Sequence, residues 1–134
     1  MKHVAVIPAR AGSQRLPNKN LTDLGGKPLV QWSIDVAIQS GMFDEIIVST
    51  DSDQVATIAN KCGAMCLWRP ADLCLNTTPM LPVITHTEKL VPADLITLLQ
   101  PTSPFRTVAD IELAHRLLIE TGGDAVLSVS APPP

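Results

Sequence analysis

Tyrosine is absent from this 134-residue chain, and with two Trp and two Phe the aromatic fraction is only 3%. Single-strand nucleic-acid binders and many carbohydrate-binding modules stack their ligands on aromatic shelves, which so few rings can hardly assemble. Aliphatic side chains must build the core. An excess of one charge is missing too. Lys plus Arg number 10 and Asp plus Glu 13, for a net charge of −3 with no long block of one sign. That balance argues against a nucleic-acid partner, because neutralising many phosphates needs a basic excess. Long apolar runs are lacking as well: Val4-Ala5-Val6-Ile7 is stopped by Pro8 and Arg10, too soon for a signal-peptide core or a membrane span. A cytoplasmic protein with no membrane partner is expected. Cys62, Cys66 and Cys74 form an odd set that matches no paired C-x-x-C pattern, and they read as small buried apolar residues in a reducing compartment. What is present, 46% hydrophobic and 17% charged residues, is ordinary globular composition that excludes disorder and fits a single domain over 1–134.

Short β-branched runs alternate with stretches of helical period, which predicts βαβ units and a mostly parallel, doubly wound sheet of the α/β class. Strands are expected at Val4–Ile7, Glu45–Ser49, Met65–Trp68, Leu95–Leu99 and Ala125–Val129, as apolar runs buried on both faces. Pro28 opens a helix carrying Val30, Ile34, Ala37 and Ile38 on one face and ending near Gly41. Val55, Ile58, Ala59 and Cys62 define a second helix, with Asp51 or Ser52 as N-cap, Asp51 preferred over a metal-binding role, and Gly63 as the stop. A third begins after Thr78 with Pro79 and carries Val83, Ile84 and Leu90. The fourth runs from Thr107, which forms a capping-box pattern with Asp110, to Gly122-Gly123. His3, His86 and His115 lack partners in any triad-like pattern and read as structural.

In open α/β sheets ligands bind beyond the carboxyl ends of the strands. The loop after the first strand, Pro8 to Asn20, places Arg10, Arg15 and Lys19 around Gly12, a composition suited to a polyphosphate and equally to a solvated surface loop. It is no Walker A loop, since Pro17-Asn18 stand where Gly-Lys should follow, and Gly25-Gly26-Lys27 lacks the earlier glycine. The dinucleotide fingerprint fails too, for want of three correctly spaced glycines.

The segment Ile7-Pro8-Ala9-Arg10-Ala11-Gly12-Ser13-Gln14-Arg15-Leu16-Pro17-Asn18-Lys19-Asn20 resembles the signature of the acylneuraminate cytidylyltransferases, the CMP-sialic acid synthetases. The similarity continues, in the family's order, through Gly26-Lys27-Pro28-Leu29, Phe43 to Ser52, Arg69-Pro70-Ala71-Asp72-Leu73 and Leu98 to Thr107. This resemblance implies a Rossmann-like sheet of the nucleotide-sugar transferase type. It also implies transfer of CMP from CTP to a nine-carbon 2-keto sugar acid of sialic-acid type, with release of pyrophosphate. By the same resemblance Arg10 and Lys19 hold the triphosphate as the catalytic pair, while Gly12, Ser13 and Asn20 help bind CTP. Arg69 contacts the cytosine or ribose, and Gln100 contacts the sugar. Read without the resemblance, Arg69 suits a surface ion pair and Gln100 a solvated strand end. Gln14, Asn76 and Met80 depart from the residues usual in relatives.

The family extends well past residue 134, so the chain is expected to be the N-terminal, CTP-binding part of a longer enzyme. The metal-binding Asp pair for Mg²⁺ and the homodimer contact of full-length relatives are expected beyond that residue, with no metal ligand within the chain. The alternatives are a catalytically incompetent CTP-binding fragment, or a cytidylyltransferase for legionaminate, pseudaminate or 3-deoxy-manno-octulosonate.

Overall fold

A computed structural model describes residues 1–12, 19–75 and 77–128. Ser13, Gln14, Arg15, Asn76 and Val129, named above, lie outside the described residues. In chain order the elements are β1 (His3–Pro8), β2 (Asp23–Leu24), β3 (Lys27–Pro28), α1 (Leu29–Ser40), β4 (Glu45–Thr50), α2 (Asp53–Cys62), β5 (Met65–Trp68), α3 (Met80–Leu90), β6 (Leu95–Leu98) and α4 (Val108–Thr121), with short 3₁₀ turns at Lys19–Leu21 and Ala71–Leu73.

The β-branched run of β1 is buried at every position because a parallel strand lies on each side of it. Val6 stands opposite Ile47 of β4 and Leu98 of β6, and β5 extends the sheet beyond β4 to give the order β5-β4-β1-β6. Alternate side chains leave opposite faces. Ala5, Ile7 and Val48 therefore meet Val30, Ile34 and Ala37 of α1, Val55 and Ala59 of α2, and Ile111 of α4. Val4, Val6 and Ile47 point the other way, where Leu67, Ile96 and Leu98 pack with them and α3 lies against β1. The expected α/β architecture with helices on both faces is thus observed. Only the two central strands are well buried, however; β6 is half-buried throughout, and Met65 and Trp68 at the ends of β5 are exposed, because an edge strand has a neighbour on one side alone.

Local signals place the helices closely. Thr107 Oγ1 accepts from the Asp110 N–H at 3.2 Å and the Asp110 carboxylate accepts from the Thr107 N–H at 3.0 Å, completing the capping box of α4. Those bonds hold the Asp110 carboxyl below its usual range. For α2 the cap is Ser52, whose Oγ accepts from the Val55 N–H at 3.2 Å, and not Asp51, whose carboxylate is turned to the loop after β1. Two apolar assignments also change. Ile38, in the last turn of α1, and Leu90, in the last turn of α3, are exposed, whereas Thr87 is fully buried. Thr87 tolerates burial because its hydroxyl donates to the Val83 carbonyl one turn back, so no polar atom is stranded. Pro82 sits in the first turn of α3, where its missing N–H has no helical partner to lose. The three cysteines are free and half-buried, not core residues.

Two elements depart from the sequence pattern. Ala125–Ser128 forms no strand and is exposed. β-Propensity becomes a strand only where a sheet edge is within reach, and a groove of about 740 Å³ separates this segment from β6 and α4. Conversely, Gly25 and Gly26, with φ of 62° and 93°, close a tight antiparallel hairpin between β2 and β3. Two successive positive φ values are what a two-residue hairpin turn demands, so the Gly-Gly pair was a readable signal for it. The hairpin is pinned to α1 by Trp32, whose indole N–H donates to the Leu24 carbonyl, and by Lys27, which lies 4.1 Å from the Trp32 ring centroid and pairs with Asp35 at 2.8 Å.

His3, at the start of β1, stacks on His115 of α4 at 5.1 Å, meets Phe43 edge-on at 4.7 Å and shares a 2.6 Å hydrogen bond between Nε2 and Thr97 Oγ1. Burial, and then the neighbouring His115, pull its pKa below the ordinary 6.5, against a smaller opposing pull from Asp44. The unfolded chain therefore takes up this proton first as pH falls. The stability contribution is complete above about 6.5, declines as pH drops below that value, and levels off under the folded-state pKa. His3→Gln, which keeps a partner for Thr97, is expected to flatten the fall in melting temperature between about pH 7 and 5. An unaltered slope would show that His3 does not carry it.

Candidate functional site

The sheet order sends the chain from β1 to β4 and β5 on one side and then back across to β6 on the other. The topological switch point therefore lies between β1 and β6, where α/β sheets hold ligands at the strands' carboxyl ends. A cavity of about 290 Å³ opens at those carboxyl ends. Arg10 and Gly12 follow β1, Lys19 and Asn20 return on the far side of the same loop, Arg69 follows β5, and Gln100 follows β6; all six line this cavity. Ser13 lies outside the described residues. Sequence reading missed the opposite wall, which includes Leu75, Thr78 and Val83, since nothing local marks residues before and within α3 as neighbours of β1.

The loop after β1 is fastened by the end of β4. The Ala9 N–H donates to the Ser49 carbonyl at 2.9 Å, the Thr50 hydroxyl donates to the Ala9 carbonyl, and the Ala11 N–H donates to Asp51 Oδ1 at 2.7 Å. The two arms of the loop are tied by Asn20, whose amide donates to the Arg10 carbonyl at 3.0 Å. A β-carbon at Gly12 would stand 3.3 Å from a terminal nitrogen of Arg10, so glycine leaves the guanidinium room at the cavity mouth.

Arg69 is only 3% exposed, which overturns the surface ion-pair reading. Its Nε donates to Ser49 Oγ at 3.1 Å, one terminal nitrogen to the Ser49 carbonyl at 3.0 Å and the other to the Leu73 carbonyl at 3.3 Å. Burial lowers the Arg69 pKa from its usual value, with Arg10 adding to the shift and Cys74 and Asp51 opposing it. No carboxylate forms an ion pair with Arg10, Lys19 or Arg69 among the described residues, where the salt bridges are Lys2–Glu45 and Lys27–Asp35. The cavity is consequently cationic. Cys74 lies next in the chain to the lining residue Leu75, with its thiol 3.2 Å from the Pro70 carbonyl. Burial and the Asp51 charge push this thiol up to about 11, so it is protonated and unreactive at neutral pH.

Such a cavity, with a tied-down backbone loop, three cations and the amide side chains of Asn20 and Gln100, has the chemistry suited to a polyanion. A carboxylate set for a divalent metal is another matter. Among the described residues no three His, Cys, Asp or Glu side chains gather in a way that could hold an ion, and one oxygen of the nearby Asp51 carboxylate is engaged by Ala11.

Residues 4–127 match the sequence pattern described as cytidylyltransferase. This chain belongs to the cytidylyltransferase family. It is 44% identical over 136 aligned residues to the CMP-N,N'-diacetyllegionaminic acid synthase of Legionella pneumophila, covering 97% of this chain and 58% of that protein. With the N-acylneuraminate cytidylyltransferase of Escherichia coli the identity is 43%, over 87% of this chain and 28% of the relative. A solved CMP:2-keto-3-deoxy-manno-octonic acid synthetase complexed with CTP superposes with a TM-score of 0.80 at 29% identity, covering 91% of this cytidylyltransferase chain and 49% of that structure. A cytidylyltransferase from Leptospira borgpetersenii, 23% identical with a TM-score of 0.77 over 92% of this chain and 51% of its own, shares the fold. The chain thus spans 58% or less of each of these relatives' lengths. Among the described residues no helix is long and apolar enough to cross a membrane.

Proposed function

We propose that this chain forms the nucleotide half of a site that transfers CMP from CTP to a 2-keto sugar acid of sialic-acid type, releasing pyrophosphate. The observation that carries this reading is the convergence of Arg10, Lys19, Arg69 and Gln100 on one cavity at the switch point. In the reaction the sugar's anomeric hydroxyl forms a new O–P bond at the α-phosphorus, loses its proton, and the bond to the β-phosphate oxygen breaks. An in-line displacement of this kind asks the protein for placement and charge stabilisation and requires no covalent intermediate. Arg10 and Lys19 flank the triphosphate and offset the charge that grows on the departing pyrophosphate. Asn20 holds the loop in shape and presents its remaining polar atoms to the nucleotide, with Gly12 and Ser13 supplying further donors. A guanidinium has five N–H donors; Arg69 has three engaged by Ser49 and Leu73, which leaves 5 − 3 = 2 to face the base or ribose. Gln100 receives the sugar. Mg²⁺, homodimerisation and a cytoplasmic setting belong to this reading as family expectations.

The 44% identity to a legionaminic acid synthase favours a second acceptor of the same class, N,N'-diacetyllegionaminate, beside N-acetylneuraminate. Nucleotide choice is tested by thermal shift with CTP, UTP, ATP and GTP. CTP is expected to protect best, by about 2.7 kcal/mol at a concentration one hundred times its dissociation constant, because a ligand stabilises in proportion to its preference for the folded state. Equal protection by all four would remove the cytidylyl assignment. Product analysis with a panel of keto-sugar acids, using a polypeptide of the relatives' full length, decides the acceptor.

A further inference from the structure

The geometry points to Asp51 as the positioning residue of the cavity, the group that sets the backbone of the anion-holding loop at Ala11. The inference rests on the cytidylyltransferase reading above for its ligand but not for its geometry. Asp51 directly follows β4, is half-buried, and is not the cap of α2, because Ser52 fills that role. One oxygen of its carboxylate accepts from the Ala11 N–H at 2.7 Å, across forty residues of sequence. Burial and then the Asp51 charge raise the thiol pKa of Cys74, which hangs from the 3₁₀ turn after Arg69. Its neighbours Ser49 and Thr50 hold Ala9 and the backbone and guanidinium of Arg69, so three consecutive residues lock both walls in register. Of the three, among the described residues only Asp51 reaches past Ala9 to the part of the loop that carries Gly12. With Ala11 pinned, Arg10 on one side and Gly12 on the other have a fixed approach to the cavity.

A charged group beside a polyphosphate would on electrostatic grounds weaken anion binding. The positioning role therefore makes a distinctive pair of expectations. In Asp51→Asn the amide oxygen still accepts from Ala11, and CTP affinity stays within about threefold of the parent or rises. In Asp51→Ala the acceptor is gone and affinity falls about tenfold, the size of one lost charge-assisted hydrogen bond. Calorimetric titration of CTP into the parent and both variants measures this, and hydrogen exchange of the Ala11 amide follows the same contact without ligand. That amide is expected to exchange at least about tenfold faster in Asp51→Ala and near the parent rate in Asp51→Asn. Site-resolved alkylation adds a signature, since loss of the Asp51 charge lowers the Cys74 pKa and speeds its modification in both variants. Tighter CTP binding by both variants, equal weakening in both, or an Ala11 amide indifferent to Asp51→Ala would each overturn the assignment. If the parent itself fails to bind CTP, the functional reading is what falls, and the exchange experiment still decides the role of Asp51.

Discussion

Replacing Arg69 with alanine is expected to lower the unfolding free energy by about 2 to 3 kcal/mol, the largest effect of any single polar substitution around the cavity. The loss comes from what the guanidinium leaves behind. Ser49 is fully buried, and its hydroxyl oxygen accepts the Nε–H of Arg69; the Leu73 carbonyl accepts from a second nitrogen. The Ser49 carbonyl is less affected, because the Ala9 N–H still reaches it at 2.9 Å. A buried acceptor without a donor costs about 1–3 kcal/mol, and water entering the vacated space recovers part of that. Arg69→Lys should restore less than half, since one ammonium cannot span acceptors on both sides of a planar fork. Ser49→Ala should cost about 1 kcal/mol, and combined with Arg69→Ala it should cost clearly less than the sum, because the two share a bond. Urea unfolding with unchanged m-values measures all of these. A change below about 0.5 kcal/mol for Arg69→Ala would mean that the guanidinium stands free in solution.

Lys19→Ala is expected to weaken CTP binding by about 1.5 to 3 kcal/mol while moving stability by less than about 0.5 kcal/mol. The two numbers separate because of where the residue sits. Lys19 opens the 3₁₀ turn at the return of the loop, half-exposed and lining the cavity, and no carboxylate pairs with it among the described residues. Its charge is therefore available to a phosphate, at the strength of a charge-assisted hydrogen bond. The affinity difference between parent and variant should also shrink at high salt, as expected for a partly exposed charge. Lys61→Ala serves as the control, an exposed lysine in the last turn of α2 away from the cavity lining. Calorimetry showing equal CTP affinity for Lys19→Ala and Lys61→Ala would take Lys19 out of the site.

What the sequence alone determined was whatever depends on neighbours a few residues away. The continuous apolar run of β1, the capping box from Thr107 to Asp110, the Pro28 start and Gly41 end of α1, and the cations spaced along Pro8–Asn20 are all local patterns, and the first three appear in the structure as read. Pairing across long stretches of chain was beyond that reach. Asp51 looked like a helix cap because an acid before a helix usually is one, yet its partner is Ala11, forty residues earlier. Arg69 looked like a surface charge, yet Ser49 holds it in the interior from twenty residues away. Ala125–Ser128 has strand composition but is held off the β6 edge by a groove, and Thr87 has a polar side chain but a helix carbonyl to satisfy it. In each case propensity supplied the candidate, and the presence or absence of a hydrogen-bonding partner, set only when the sheet and helices came together, made the choice.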